Sequence, residues 1–172
     1  MPKLIPVLTE KEIHDKVGKI AQTISKDYEH RQLVLIGVLK GAFIFLADLA
    51  RQLSIPVEID FIRYESYGNN DSSSGSVRLC SDITMDIKGK DVLIVEDIID
   101  SGLTMAKLVQ HLETFHPGSI RICAFIDKSE RRQIDCQADY LCHSVENGFL
   151  VGYGLDYAQQ YRNLPALYHL NL

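Results

Sequence analysis

Acidic and hydroxyl side chains are concentrated in one short segment of this chain, VLIVEDIIDSGLT at residues 92–104. The segment begins with four apolar residues and then places Glu96, Asp97 and Asp100 ahead of hydroxyl residues and a glycine. A buried strand is expected to end where these carboxylates begin, because an apolar core does not accept several unpaired charges.

A helix is predicted directly after this strand, opened by Ser101 and Gly102. Its apolar residues recur at helical spacing, at Met105, Leu108, Val109 and Leu112. The free N–H groups of a glycine turn and of a first helical turn form a binding site for phosphate. The hydroxyls of Ser101 and Thr104 could add two donors.

The carboxylates ahead of this turn suit a sugar. Glu96 and Asp97 can accept hydrogen bonds from a vicinal diol, such as the 2′ and 3′ hydroxyls of a ribose. Asp100, between the diol and phosphate sites, could act as a base beside the anomeric carbon. The segment therefore predicts a site for a 5-phosphorylated ribose.

This segment, a hydrophobic strand followed by EDIIDSGLT, resembles the ribose-phosphate signature of the type I phosphoribosyltransferases, and in its details their hypoxanthine-guanine branch. The resemblance implies ribose and phosphate contacts along the whole stretch of Glu96, Asp97, Ile98, Ile99, Asp100, Ser101, Gly102, Leu103 and Thr104. The alternative is an ordinary strand, turn and helix with a solvated acidic tip.

A lysine follows the apolar run Leu33–Leu39, at the expected carboxyl end of a buried strand, where open α/β sheets bind their ligands. A solvated lysine in a turn is the alternative for Lys40. The LKG sequence is similar to the pyrophosphate loop of the same family, whose Leu-Lys peptide can be cis. The resemblance thus implies pyrophosphate contacts for Leu39, Lys40 and Gly41, and also for Arg162 near the carboxyl end.

Two further sequences point to a purine. Lys128 ends the predicted strand at 119–126, and Phe149 offers a ring face within NGFLVGYGLD. A surface salt bridge for Lys128 and a core position for Phe149 are the alternatives. The resemblance implies that purine contacts come from Lys128, Phe149, Leu150 and Asp156, with Lys128 on the purine O6. Arg132 matches a nearby arginine of the family less closely.

The resemblance also implies two Mg²⁺ ions on the leaving pyrophosphate, with a metal site at Glu96, Asp97 and Asp156. Asp156 supplies the hard oxygen that Mg²⁺ prefers. Ser66 and Tyr67 match the start of the family's flexible loop, placed here at about 65–79. The polar composition of residues 65–76 suits such a cover, and a plain linker is the alternative.

The remaining patterns predict one α/β domain at 1–172, and the resemblance makes it a type I phosphoribosyltransferase domain. It is expected to have a mainly parallel sheet, helices on both faces and a small hood formed by the region of the chain termini and including about 142–156. Thr9 and Glu12 form a capping-box pattern for a helix to residue 28. A second helix is predicted at 42–53, and strands are predicted at 57–64 and 140–145.

Composition excludes several classes of function. A net charge of −5 argues against a nucleic-acid partner, since phosphate neutralisation needs a basic surface. The first nine residues lack the apolar core of a signal peptide, and no apolar run approaches a membrane span, so we expect a cytoplasmic protein with no membrane partner. The four cysteines form no CxxC pair and indicate neither redox nor zinc chemistry.

These patterns together predict a purine salvage enzyme. It would transfer ribose 5-phosphate from phosphoribosyl pyrophosphate to hypoxanthine or guanine, giving IMP or GMP, with Asp100 as the acid/base at purine N7. The resemblance implies a homodimer or homotetramer. The alternatives are a phosphoribosyltransferase for xanthine or a pyrimidine, and a regulator of this fold that binds nucleic acid.

Overall fold

The computed structural model describes residues 3–67 and 76–171. Its main sheet has six strands in the order β4-β3-β2-β5-β6-β7. They are β2 (Leu33–Leu39), β3 (Val57–Tyr67), β4 (Ser76–Ser81), β5 (Asp91–Ile99), β6 (Ser119–Lys128) and β7 (Tyr140–Val145). Every neighbouring pair is parallel except β3 and β4. The predicted mainly parallel sheet is confirmed.

Helices cover both faces of this sheet, as predicted. They are α1 (Glu10–Asp27), α2 (Phe43–Gln52) and α3 (Leu103–Glu113). Leu33 and Leu35 of β2 belong to the core cluster that contains α1 and α2, whereas Val34 and Ile36 belong to the cluster that contains α3. The alternation follows from the two-residue period of a strand, so a fully apolar run covers two cores at once.

The amino end of α1 has the predicted cap. Thr9 Oγ1 accepts the backbone N–H of Glu12 at 3.2 Å, and the Glu12 carboxylate accepts the Thr9 N–H at 2.8 Å. Ile13, Val17, Ala21 and Ile24 of the same helix are buried against the sheet.

A second, smaller sheet joins the two ends of the chain. It consists of β1 (Lys3–Leu8), β9 (Leu167–Asn171) and β8 (Leu150–Val151), in the order β1-β9-β8. β7 belongs instead to the main sheet, where it pairs with β6. The small sheet therefore combines both ends of the chain with β8, which lies inside the predicted hood segment at about 142–156. Pairing between distant segments leaves no local pattern, and the short strands β1 and β9 were not predicted.

Two predicted boundaries are also wrong. β5 continues through the carboxylates to Ile99, whereas the sequence suggested an end near Glu96. β3 extends to Tyr67 and β4 begins at Ser76, so Ser66 and Tyr67 are strand residues paired with Val77 and Ser76. The loop at about 65–79 is thus shorter than predicted, and its central residues 68–75 lie outside the described part of the chain.

The order of the strands determines where the chain can bind a ligand. β2 leads through α2 to β3 on one side, and β5 leads through α3 to β6 on the other, so the connections diverge between β2 and β5. Ligands of open α/β sheets bind at the carboxyl ends of the strands at such a point. Within residues 3–67 and 76–171, none of the helices has the length and apolar character to cross a membrane.

Candidate active site

A cavity of about 500 Å³ opens at the carboxyl ends of β2 and β5, where the connections diverge. It brings together three groups of predicted residues that are far apart in the sequence: Glu96, Asp97, Ile98, Ile99, Asp100, Ser101, Gly102 and Thr104; Leu39, Lys40 and Gly41; and Asp156 and Arg162. Among the residues predicted to bind ribose and phosphate, Leu103 does not line the cavity.

Glu96 and Asp97 form the acidic wall of the cavity. Glu96 is 6% exposed, and its burial raises the pKa of its carboxyl well above the usual range. The charge of Asp97 and a hydrogen bond with its side chain raise that pKa further. A raised pKa favours the neutral form of the carboxyl, which is less costly to bury than a carboxylate, and β5 continues through this position.

The loop after β2 touches this wall directly. A Cβ on Gly41 would lie 1.8 Å from Oδ2 of Asp97, so only glycine permits this approach. The carbonyl oxygen of Gly41 in turn faces Gly154, where a Cβ would lie 2.1 Å from it and where φ is +99°. Close backbone contact therefore joins the loop at Gly41 both to β5 and to the turn at Gly154.

Asp100 carries an unsatisfied polar atom. Its Oδ1 is buried and has no hydrogen-bond partner among the described residues, although the residue lines the cavity. Buried polar groups of folded proteins are nearly always paired. An orphaned carboxylate oxygen in a binding cavity is suited to accept a hydrogen bond or a proton from a ligand.

The turn after Asp100 has the conformation of an anion site. Gly102 is the N-cap of α3 and has φ +84°, which favours glycine. The Ser101 hydroxyl accepts the N–H of Leu103 at 3.2 Å. The first turn of α3 carries the positive end of the helix dipole, and the cavity-lining residues Ser101, Gly102 and Thr104 surround it.

Lys40 and Arg162 supply cations that line the cavity. The Leu39-Lys40 peptide is cis. Lys40 Nζ and Arg162 Nη2 both donate to Oε1 of Gln159, each at 3.3 Å. Arg162 also donates to the carbonyl of Gly154 at 2.8 Å and pairs with Asp156 at 2.8 Å. Two cations that meet at one neutral acceptor are suited to bind an anion with several oxygens, such as pyrophosphate.

Several lining residues were not predicted. Arg63, Tyr64 and Glu65 reach the cavity from the carboxyl half of β3, and Arg63 pairs with Glu65. The rule that placed Lys40 at a strand end applies equally to β3 and could have found them. Gln159 lies in a tight turn with φ +64°, and no sequence signal marks it.

The residues predicted to contact the purine are not all in this cavity. Lys128 is 7% exposed, and its Nζ lies 3.5 Å from a carboxylate oxygen of Glu130. Phe149 is 46% exposed and meets Tyr157 edge-on at 5.6 Å between ring centroids. Leu150 is buried in β8. Of the predicted purine residues, only Asp156 lines the cavity described above.

The carboxylates do not by themselves form a complete metal site. Within the described residues, no cluster of three or more His, Cys, Asp or Glu side chains is arranged to hold a metal ion. Glu96, Asp97 and Asp156 nevertheless line one cavity. A Mg²⁺ ion bound there would need oxygens from a phosphorylated ligand or from water, which is its usual mode of binding.

Residues 7–158 match the family described as phosphoribosyl transferase domain. With the parallel sheet and the cavity at the strand ends, this match shows that the chain belongs to the phosphoribosyltransferase family. The chain is 44% identical over 167 residues to a hypoxanthine-guanine phosphoribosyltransferase of Aquifex aeolicus, with 96% of this chain and 94% of that protein covered. It is 42% identical over 161 residues to a hypoxanthine phosphoribosyltransferase of Salmonella typhimurium, with 92% and 90% covered.

A solved structure extends the similarity to the whole fold. The chain superimposes on a hypoxanthine-guanine phosphoribosyltransferase of Bacillus anthracis with a TM-score of 0.93, at 39% identity and with all of both chains covered. The resemblance inferred from EDIIDSGLT and the predicted enzyme class are thereby confirmed.

Proposed function

We propose that the chain transfers ribose 5-phosphate from phosphoribosyl pyrophosphate to N9 of hypoxanthine or guanine, giving IMP or GMP and pyrophosphate. One observation carries the proposal: a single cavity unites two adjacent acids, a helix amino terminus and a pair of cations. These groups match the diol, the 5-phosphate and the pyrophosphate of that substrate in chemical type. The choice of hypoxanthine or guanine as the base rests on the names of the relatives described above.

Each group has a role in the proposed transfer. The turn at 101–104 holds the 5-phosphate, and Glu96 and Asp97 hold the ribose hydroxyls. Lys40 and Arg162 hold the pyrophosphate and stabilise its charge as the bond from C1′ to the pyrophosphate oxygen breaks. The bond from purine N9 to C1′ forms as the purine loses its N7 proton to Asp100, which lines the same cavity and whose Oδ1 has no hydrogen-bond partner among the described residues.

Mg²⁺ is proposed as the cofactor, because it would neutralise phosphate oxygens that the two cations leave exposed. Glu96, Asp97 and Asp156 are the residues that would hold it. The purine is proposed to contact three residues: Lys128 at its O6, Phe149 by stacking on the ring, and the backbone of Leu150 at its edge. Ser66 and Tyr67 are proposed to close over the bound substrates. The exposed ring of Phe149 supports the stacking role.

We also propose a homodimer or homotetramer in the cytoplasm. Large apolar side chains of the main sheet and α2 are exposed at Phe43, Ile59 and Phe61, and such surfaces often mark contacts between subunits. The four cysteines are all free thiols, which suits a reducing compartment. Light scattering after size exclusion would measure the mass in solution.

Steady-state kinetics test the reaction. Hypoxanthine, guanine and xanthine are each offered with phosphoribosyl pyrophosphate and Mg²⁺, and nucleotide formation is followed by absorbance. Turnover of hypoxanthine or guanine is expected. Turnover of xanthine alone would favour the alternative base, and no turnover with any of the three bases would favour the regulator.

A further inference from the structure

We propose that Arg132 is a positioning residue that sets the peptide orientations of the phosphate-binding turn. This inference rests on one part of the proposed function, namely that the turn at 101–104 binds the 5-phosphate. The Arg132 side chain is 19% exposed and does not line the cavity, so it does not meet the substrate itself.

The Arg132 guanidinium is bound almost entirely by backbone carbonyls. Nε donates to the carbonyl of Asp100 at 2.8 Å, Nη1 donates to Cys136 at 2.5 Å, and Nη2 donates to Ile99 at 3.3 Å. Nη2 also pairs with the carboxylate of Asp127 at the end of β6. A planar fork with five N–H donors can make all these contacts at once, which a lysine ammonium cannot.

The next residues of the same segment continue the pattern. The N–H groups of Gln133 and Ile134 both donate to the carbonyl of Ser101, at 2.9 and 3.1 Å. Three successive carbonyls, at residues 99–101, therefore point toward the segment at 132–134. The contact is close, because a Cβ on Gly102 would lie 2.8 Å from the carbonyl oxygen of Ile134.

The geometry of the peptide bond links these carbonyl contacts to phosphate binding. In a planar trans peptide the C=O and the following N–H point in opposite directions. Fixing the carbonyls of Asp100 and Ser101 toward 132–134 therefore directs the N–H groups of Ser101 and Gly102 away from that segment. Both residues line the cavity. Oriented backbone N–H groups of this kind are what an anion site requires.

Arg132 holds the catalytic candidate in the same way. Its Nε contact fixes the carbonyl of Asp100, and hence the backbone from which the orphaned Oδ1 extends. If the turn were less rigid, it would bind phosphate more weakly and would also misplace the Asp100 carboxylate that accepts the proton. A residue that only stabilised the fold would affect neither quantity in the molecules that remain folded.

The test compares Arg132→Lys with Arg131→Lys, since Arg131 is the adjacent, exposed arginine. The dissociation constant of ribose 5-phosphate is measured by calorimetry, and the folded fraction by circular dichroism. Arg132→Lys is expected to raise that constant by about tenfold or more, a conservative share of the 10²–10³ cost of removing one oriented donor from an anion hole. The turnover number should fall by a similar factor, and Arg131→Lys should stay within about twofold of the parent on both measures.

An unchanged dissociation constant for ribose 5-phosphate in folded Arg132→Lys would overturn the proposal, whatever happens to turnover. If that variant does not fold, Asp127→Asn replaces it, because it removes the carboxylate that orients the guanidinium and leaves the arginine in place. A several-fold weaker binding of ribose 5-phosphate is then expected, and unchanged binding would overturn the proposal. A parent that binds ribose 5-phosphate but turns over no purine would refute the proposed function alone, because the Arg132 test reads binding without a base.

Discussion

Replacing Asp100 by asparagine tests the proposed proton transfer. The side chain keeps its shape and its place in the cavity, but its amide cannot take up the N7 proton. General acid–base catalysis contributes about 10²–10⁴-fold to rate, so turnover should fall by about 10²-fold or more. At 1.36 kcal/mol per factor of ten, a 10²-fold loss corresponds to about 2.7 kcal/mol of transition-state stabilisation.

The structure limits the other effects of this substitution. The contacts that hold the phosphate turn to Arg132 use the backbone carbonyl of Asp100 and not its side chain. Its Oδ1 has no partner among the described residues, so no internal hydrogen bond of that atom is lost. The dissociation constant of ribose 5-phosphate should therefore stay within about threefold of the parent, well below the change expected in turnover.

The assay is nucleotide formation at saturating substrates, measured beside calorimetric binding of ribose 5-phosphate. Asp15→Asn is the control, because Asp15 is an exposed acid on α1 that pairs with Lys11 across one helical turn. It should leave turnover unchanged. Turnover of Asp100→Asn within threefold of the parent would refute the assignment, and a parallel loss of ribose 5-phosphate binding would show that the side chain serves the phosphate site instead.

Three other substitutions test the surrounding structure. Gly41→Ala places a Cβ 1.8 Å from Oδ2 of Asp97, so kcat/KM for phosphoribosyl pyrophosphate should fall by at least about tenfold, and an unchanged value would show that the contact is easily relieved. Phe149→Leu should raise the KM for the purine about tenfold without changing the KM for phosphoribosyl pyrophosphate, because aromatic stacking contributes roughly 1–3 kcal/mol per base. A purine KM equal to that of the parent would show that Phe149 does not contact the purine. Thr9→Ala deletes the cap of α1 and should lower the free energy of unfolding by about 1 kcal/mol in a urea titration with turnover unchanged, whereas an unaltered midpoint would mean that the cap contributes nothing.

The sequence predicted the parts of the fold that local patterns specify. The apolar run at 33–39 is a buried strand, and the pattern after Gly102 is a helix. The carboxyl ends of parallel strands meet at one edge of a sheet, which is why Lys40 was expected at the ligand-binding edge. Leu39, Lys40 and Gly41 line one cavity with residues 96–102 and Thr104. The role of Asp156 and Arg162 in that cavity came from the resemblance, because no local pattern links them to β5.

What the sequence did not predict depends on contacts between distant segments. The strand end at Glu96 was misplaced because its carboxyl was expected to be solvated, whereas Glu96 is buried within β5 and burial raises its pKa. The small sheet pairs residues 3–8 with 167–171, and neither strand has a pattern that names its partner. Arg132 was left without a role, since only the structure shows the three carbonyls that its guanidinium binds.

The central claim is that the turn at 101–104 holds the 5-phosphate beside Asp100. A crystal structure with IMP or GMP bound tests it most directly. The phosphorus atom is expected over the amino end of α3, with phosphate oxygens within hydrogen-bond distance of the N–H groups of Ser101 and Gly102. Purine N7 is expected within hydrogen-bond distance of the Asp100 carboxylate. A phosphate bound at Lys40 and Arg162 instead, with N7 far from Asp100, would contradict it.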